Sequence, residues 1–159
     1  MGADEVEIRA LRVEDQDAAK ALILAGLEEH WGVLDPSLNP DLDDIAASYR
    51  DAVFLVACIN GEMAGTGALV PEAGRFPSGA SGAGSVARIV RMSVARSRRR
   101  QGIGRLLLDE LCRQARALGC RTVVLETTAD WQDAIAFYLR CGFRASGFSE
   151  GDIHFKLDL

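Results

Sequence analysis

Apolar positions recur along this 159-residue chain in two rhythms, and the switch between them sets out its elements. Glu7–Leu11 reads as a short strand. After Val13–Asp17, the residues Ala18, Ala21, Leu22, Ala25 and Leu27 fall at helical spacing, and acidic residues at the start suit the positive end of a helix. His30–Asp44 holds Pro36, Pro40 and several Asp and Asn residues, which predicts a loop, followed by a short helix around Leu42–Tyr49. Phe54–Ile59 is an unbroken apolar run, too short for a helix and right for a buried strand. Asn60-Gly61 then separates it from a second strand-like stretch, Met63–Val70. Both turn residues tolerate positive φ, so a type I′ hairpin is predicted. Pro71–Ser85, rich in Gly, Ser and Ala, reads as a loop inside one domain, because another strand, Val86–Val94, follows at once.

The second half alternates helix and strand. A basic turn, Ala95–Gln101, leads into a helix from Ile103 to Leu118, with Ile103, Leu106, Leu107, Leu111, Ala115 and Leu118 as its apolar stripe and Gly119 as its stop. Thr122–Thr127 is a β-branched strand. Asp130 is placed to cap a helix over Trp131–Arg140, Gly142-Phe143 ends it, and Ile153–Leu157 reads as a closing strand. Hairpins followed by strand-helix-strand units imply a mixed sheet with helices on its faces.

Length and composition narrow the class. A chain of 159 residues, 48% hydrophobic and 26% charged, fits one soluble packed domain spanning residues 1–159. No apolar run reaches the roughly 18–20 residues a bilayer crossing needs, and the acidic N-terminal stretch lacks a signal-peptide pattern, so a cytoplasmic location with no membrane partner is expected. Cys58, Cys112, Cys120 and Cys141 form no C-x-x-C pair, and His30 and His154 lie far apart, so free thiols are expected and a metal site is not. Residues 1–85 hold 5 basic against 15 acidic side chains, whereas residues 86–159 hold 13 against 8. Such asymmetry suits ligands of opposite sign, or two solvated surfaces.

The sharpest local feature is Arg99-Arg100-Gln101-Gly102-Ile103-Gly104-Arg105, set between a strand and an amphipathic helix. The first backbone N–H groups of a helix lack intrahelical partners, and the dipole makes that end positive. Gly102 and Gly104 remove side chains that would hold a ligand away, leaving a cradle for a phosphate or pyrophosphate; Arg96, Arg98 and the arginines of the run surround it. Nucleic-acid binding is disfavoured by the shortness of the run, the missing aromatics and the net charge of −5. A dinucleotide loop would need a third glycine where Leu107 stands, and no Gly-Lys-Ser/Thr is present.

These residues resemble the GCN5-related N-acetyltransferases (GNAT). The family's acetyl-CoA loop, Arg/Gln-x-x-Gly-x-Gly/Ala, is matched by Arg99, Gly102 and Gly104, and its Ala-x-x-x-Tyr helix ending in Gly-Phe by Ala134, Tyr138, Gly142 and Phe143. The resemblance covers residues 53–157 well and the first 50 in outline. It implies an α/β (α+β) single-domain fold: a mixed, mostly antiparallel sheet of about 6–7 strands, splayed between strands 4 and 5, with about four helices. It also implies acetyl-CoA as cofactor, held by main-chain groups at Met92, Ser93 and Val94 and by Arg99, Arg100, Gln101, Gly102, Ile103, Gly104 and Arg105. The activity implied is transfer of an acetyl group to a primary amine by direct attack in a ternary complex; a catalytically silent acyl-CoA-binding sensor is the alternative.

Within that resemblance Tyr138 is the general-acid candidate, or else a packing tyrosine. Glu126 is the base candidate, resembling the glutamate of ribosomal-protein N-terminal acetyltransferases, or else a sheet-edge or solvent-facing glutamate; water relayed to a carboxylate is the alternative base. Arg88 stands where some members carry a glutamate, and Trp131 where the family often has an asparagine, whose paired amide donor and acceptor an indole cannot reproduce. His30, Trp31 and the stretch Asp35–Asp51, with Asp41, Asp43 and Asp44, either attract a cationic amine or form a solvated face. The acceptor is a small-molecule or protein amine, nucleic acid is not a partner, and a homodimer is compatible.

Overall fold

A computed structural model describes residues 5–32, 35–77 and 85–159 of the chain. The expectations for the first four residues and for the Gly/Ser/Ala stretch 78–84 lie outside the described residues. The elements are β1 (Val6–Ala10), α1 (Gln16–Trp31), α2 (Ile45–Ser48), β2 (Val53–Ile59), β3 (Glu62–Pro71), β4 (Val86–Val94), α3 (Ile103–Ala117), β5 (Thr122–Thr128), α4 (Gln132–Arg140), β6 (Arg144–Ser149) and β7 (Asp152–Asp158). One seven-stranded sheet holds the strands in the order β1-β2-β3-β4-β5-β7-β6. No helix among the described residues is long and apolar enough to cross a membrane.

The chain divides into two compact units, residues 1–68 with 91–111 and residues 69–90 with 112–159. In the first, β1 runs antiparallel to β2, from Val6 opposite Ile59 to Ala10 opposite Leu55. β2 is buried at every position from Phe54 to Ile59, as its unbroken apolar run requires. Asn60 (φ 52°) and Gly61 (φ 79°) supply the two left-handed residues of the predicted turn. Arg9 grips Asp15 through two N–H···O bonds of 2.7 and 3.1 Å, and Asp15 also accepts the Arg12 N–H at 2.7 Å. Gln16 ties α1 to the segment before α2, donating to the Leu42 carbonyl and accepting from the Ile45 N–H. Two glycines of β3 let layers close: a Cβ at Gly65 would lie 2.9 Å from Leu107 Cδ1, and one at Gly67 would lie 2.6 Å from Met92 Sδ.

In the second unit β4 and β5 are parallel, Val86–Arg88 lying opposite Thr122–Val124, and both strands run on beyond that ladder. β5 pairs antiparallel with β7 over its whole length, and β7 pairs with β6 through a register shift between Ala145 and Gly147. β5 alternates strictly, with Val123, Leu125 and Thr127 buried. Leu125 lies opposite Phe155, and that face carries Tyr138 and Phe143 into the core. β6, at the edge, is exposed at every residue.

Four details differ from the sequence reading. The second helix is only Ile45–Ser48, because two 3-10 turns begin at Pro36 and Pro40 and the Asp44 side chain caps the helix by accepting the Ala47 N–H. Trp131, not Asp130, is the N-cap of α4: it is the Asp130 carbonyl that accepts the Gln132 N–H, at 3.1 Å. In α3 the buried stripe is Ile103, Leu107, Leu108, Leu111, Cys112 and Ala115, while Leu106 is exposed. Residue 106 stands 100° before residue 107 around the helix, on the far side of a stripe that drifts toward 108 and 112. β6 has no apolar alternation and was not separable from its loop. The four cysteines form no disulfide, and Cys58, Cys112 and Cys120 are buried.

Candidate active site

The arginine turn begins in the first unit with a 3-10 turn over Arg96–Arg98. Arg99 is extended, Arg100 takes φ 64° and Gly102 φ 82°, and α3 starts at Ile103. Two left-handed residues fold the chain sharply into the helix start. Ile103 anchors the turn by full burial, and the Leu106 N–H bonds the Gly102 carbonyl at 3.1 Å. By helix geometry the N–H groups of Ile103, Gly104 and Arg105 precede the first intrahelical bond. A Cβ built on Gly102 meets nothing within 4 Å, so no neighbouring atom crowds that point of the loop. The loop residues therefore fit a diphosphate.

Two of its arginines, Arg99 and Arg105, are already engaged. Arg99 holds Glu29 of α1 through N–H···O bonds of 2.5 and 3.0 Å, and the hydrogen bond from Arg99 draws the Glu29 carboxyl below its usual range. Arg105 pairs with Asp109 one turn along α3, and Gln101 donates to the Ser97 carbonyl at 3.4 Å.

Ahead of this loop the strand residues Met92, Ser93 and Val94 follow a backbone irregularity that the sequence did not announce. Arg91 takes φ 56° within β4. A non-glycine residue there costs of the order of 1 kcal/mol or more, so the surroundings must hold it. They do so at both ends. Thr66 Oγ1 donates to the Arg91 carbonyl at 2.8 Å, and the guanidinium donates to both oxygens of Asp41, at 3.0 and 2.6 Å, and to Asn39 Oδ1 at 3.2 Å. Tyr49 completes the clamp by donating to Asp41 Oδ2 at 2.5 Å. Burial alone would raise the Asp41 carboxyl, but hydrogen bonds from Arg91 and Tyr49 bring it below its usual value; burial, aided by Asp41, pushes the Tyr49 phenol up to about 12.

The acidic stretch is thereby accounted for within the molecule. Asp35 caps a 3-10 turn, Asp41 holds Arg91, Asp43 pairs with Lys20 at 2.9 Å, and Asp44 caps α2. Of the three residues read as bait for a cationic amine, Asp41 has its carboxylate taken up inside the molecule, while the Asp43 side chain is largely exposed. Trp31, at the end of α1, is exposed.

In the second unit the two catalytic candidates lie on opposite faces of the sheet. Tyr138 is buried among Phe137, Phe143 and Phe155, with ring centroids 5.1, 5.8 and 6.1 Å away. Burial, reinforced by Cys141, pushes its phenol far above the ordinary value, so it keeps its proton at every working pH. Glu126 alternates to the other face of β5. Its Oε1 is held by Arg88 Nη1, and Arg88 in turn donates to Glu72 at 2.6 and 3.2 Å. Register sets His154 of β7 directly opposite Glu126, with Nδ1 3.6 Å from the same Oε1. Arg88, at the position where some GNAT members carry a glutamate, is thus the cation between two carboxylates. Neither this cluster nor the Arg91 clamp was visible in the sequence, since each depends on strand register or on a side chain some 50 positions away.

A sequence model of the Acetyltransferase (GNAT) family matches residues 17–143. Glucosamine 6-phosphate N-acetyltransferase of Trypanosoma brucei brucei is 30% identical over 145 residues, covering 89% of this chain and 90% of that protein. N-acetyltransferase 8 of Rattus norvegicus is 34% identical over 119 residues, or 73% of this chain, and the matched region spans about half (51%) of the rat protein. The solved structure of PaiA N-acetyltransferase from Thermoplasma acidophilum, in complex with coenzyme A, shares the fold with a TM-score of 0.80 at 16% identity, over 98% of this chain and 99% of that one.

Proposed function

This chain belongs to the Acetyltransferase (GNAT) family, and from that premise we propose that it transfers an acetyl group from acetyl-CoA to a primary amine, by direct attack of the amine and without a covalent enzyme intermediate. The observation that carries the reading is the loop from Arg99 to Arg105: two left-handed residues and a glycine-flanked helix start, uncrowded at Gly102. Arg99, Arg100, Gln101, Gly102, Ile103, Gly104 and Arg105 would hold the diphosphate of the carrier, and main-chain groups at Met92, Ser93 and Val94 its arm. When bound, acetyl-CoA supplies an acyl group activated as a thioester.

The remaining chemistry falls to the protein. A lysine-type amine at a pKa of ~10.4 costs about 4–5 kcal/mol to deprotonate at pH 7, so a base is needed. Glu126 takes that role, held in place through Oε1 by Arg88. Tyr138 keeps a proton at its phenol oxygen for the departing thiolate, which suits its burial. A backbone N–H near Met92–Val94 polarises the acyl carbonyl. No cysteine takes part: three of the four are buried, and burial raises the Cys58 and Cys120 thiols.

The acceptor is a small-molecule or protein amine, taken without nucleic acid or membrane, and residues 1–159 act as one transferase domain in the cytoplasm. The relative that acetylates glucosamine 6-phosphate supports a small amine first. Titration with coenzyme A is expected to give a saturable heat and thermal protection. A panel of glucosamine 6-phosphate, amino acids, polyamines and N-terminal peptides, scored by thiol release from acetyl-CoA, then identifies the acceptor. Absence of both heat and protection removes the reading. A chain that binds coenzyme A yet releases no thiol with any amine would be a sensor instead.

A further inference from the structure

Strand β7 alternates Asp152, His154 and Lys156 on one face with Ile153, Phe155 and Leu157 on the other. Register sets His154 between two strands at once, opposite Glu126 of β5 and opposite Gly147 of β6. The imidazole leans along β6 to Ser149, whose Oγ lies 2.7 Å from Nε2. Ser149 is exposed and stands just before the hairpin turn formed by Glu150 (φ 53°) and Gly151 (φ 85°). A continuous row of polar groups therefore crosses the sheet: Glu72, Arg88, Glu126, His154, Ser149, then water. The charged groups facing the imidazole are Glu126 from the neighbouring strand β5, with Arg88 of β4 behind it, and Asp152 and Lys156 on its own strand; Arg144 of β6, opposite Lys156, is tied to Asp158.

Acetylation of an ammonium acceptor makes an amide, a thiol and one free proton, and that proton must reach water. From this row we infer that His154 is a positioning residue that carries the proton from Glu126 to solvent through Ser149. The inference rests on the reading of Glu126 as base. The steps balance without a co-reactant. The amine N–H bond breaks as an O–H bond forms on Glu126. Glu126 gives that proton to Nδ1, which makes an imidazolium with a carboxylate at Nδ1 and a hydroxyl oxygen accepting at Nε2. The Nε2 proton then passes to Ser149 Oγ as the hydroxyl releases its own to water, leaving a neutral ring with its proton on Nδ1, which exchange with water returns to Nε2 before the next turnover. At 3.6 Å the Nδ1–Oε1 separation is an ion-pair distance, and transfer requires a small ring rotation that shortens it. An imidazole suits this task because one ring nitrogen can accept a proton while the other gives one up.

The test compares H154Q, S149A and E126Q with the unaltered chain, using acetyl-CoA and the panel amine of highest turnover. H154Q is expected to lower kcat about tenfold, leave the KM for acetyl-CoA unchanged and remove or displace the acidic limb of the kcat–pH profile. Free imidazole in the buffer should restore part of the rate to H154Q and none to E126Q, and S149A should show a smaller loss of the same kind. A structural role for His154 would give neither imidazole rescue nor a changed limb. If E126Q is slow while H154Q keeps the full rate and profile, the relay is wrong and Glu126 stands as base. If E126Q keeps the full rate, the base assignment falls and the relay falls with it.

Discussion

The turn at Arg99–Arg105 and the row at Arg88–Glu126–His154 are both polar and both functional candidates, but they are built from different parts of the chain. The first is main chain: its geometry lies in two left-handed residues and a helix start, and its side chains are secondary. The second is side chain only: three residues from three strands meet because register aligns them. A main-chain site occupies a few consecutive residues and tolerates side-chain change. A side-chain row fails when any one member is altered, and it leaves no local signature.

Substitutions test that contrast. The largest effect is expected at Tyr138, which like the row acts through one side chain. Tyr138→Phe keeps the ring packing against Phe143 and Phe155 and should lower kcat about 100-fold with unchanged coenzyme A affinity by calorimetry; loss of affinity instead would make the tyrosine structural. Asp41→Asn comes next, because it breaks the clamp on Arg91 and should cost about 1–3 kcal/mol in a denaturant melt. The clamp also has a signed pH dependence. The Asp41 carboxyl lies below its unfolded value, so its contribution is full above an unfolded pKa of about 4 and lost as pH falls through the depressed one. The Tyr49 phenol is raised to about 12, so its contribution is full below an unfolded pKa of about 10 and lost as pH rises through about 12. Melts across pH should therefore lose stability at both extremes, and Asp41→Asn should flatten the acidic loss.

Arg100→Gly separates main chain from side chain within the turn. Relief of φ 64° should stabilise the fold by up to about 1 kcal/mol, while removal of the cation weakens coenzyme A binding. Binding that survives undiminished would show the backbone alone to suffice. The smallest effect belongs to Glu29→Gln. Freeing Arg99 from its exposed partner should tighten coenzyme A about two- to threefold, as befits a surface pair.

Legibility followed the same division. The Asn60-Gly61 hairpin, the β4 boundaries, the α3 start and the Gly102 turn were readable because each is a statement about consecutive residues. The length of α2 and the cap of α4 were misread because Pro and Asp serve turns and caps alike, and only the hydrogen bonds decide which. Arg91 escaped entirely: arginine carries no signal for positive φ, and the residues that hold it lie 25 to 52 positions away. Glu126 was found as a base candidate, but its neighbours Arg88 and His154 emerge only once three strands are aligned.

The register shift in β6 has a consequence beyond pairing. A regular strand at the margin of a sheet offers a straight row of donors and acceptors to any other chain, and such margins seed aggregation. Between Ala145 and Gly147 one extra residue, Ser146, throws that row out of step, and Arg144 adds charge at its start. Deleting Ser146 would straighten the margin beside exposed Phe148, and light scattering is expected to show more self-association as a result.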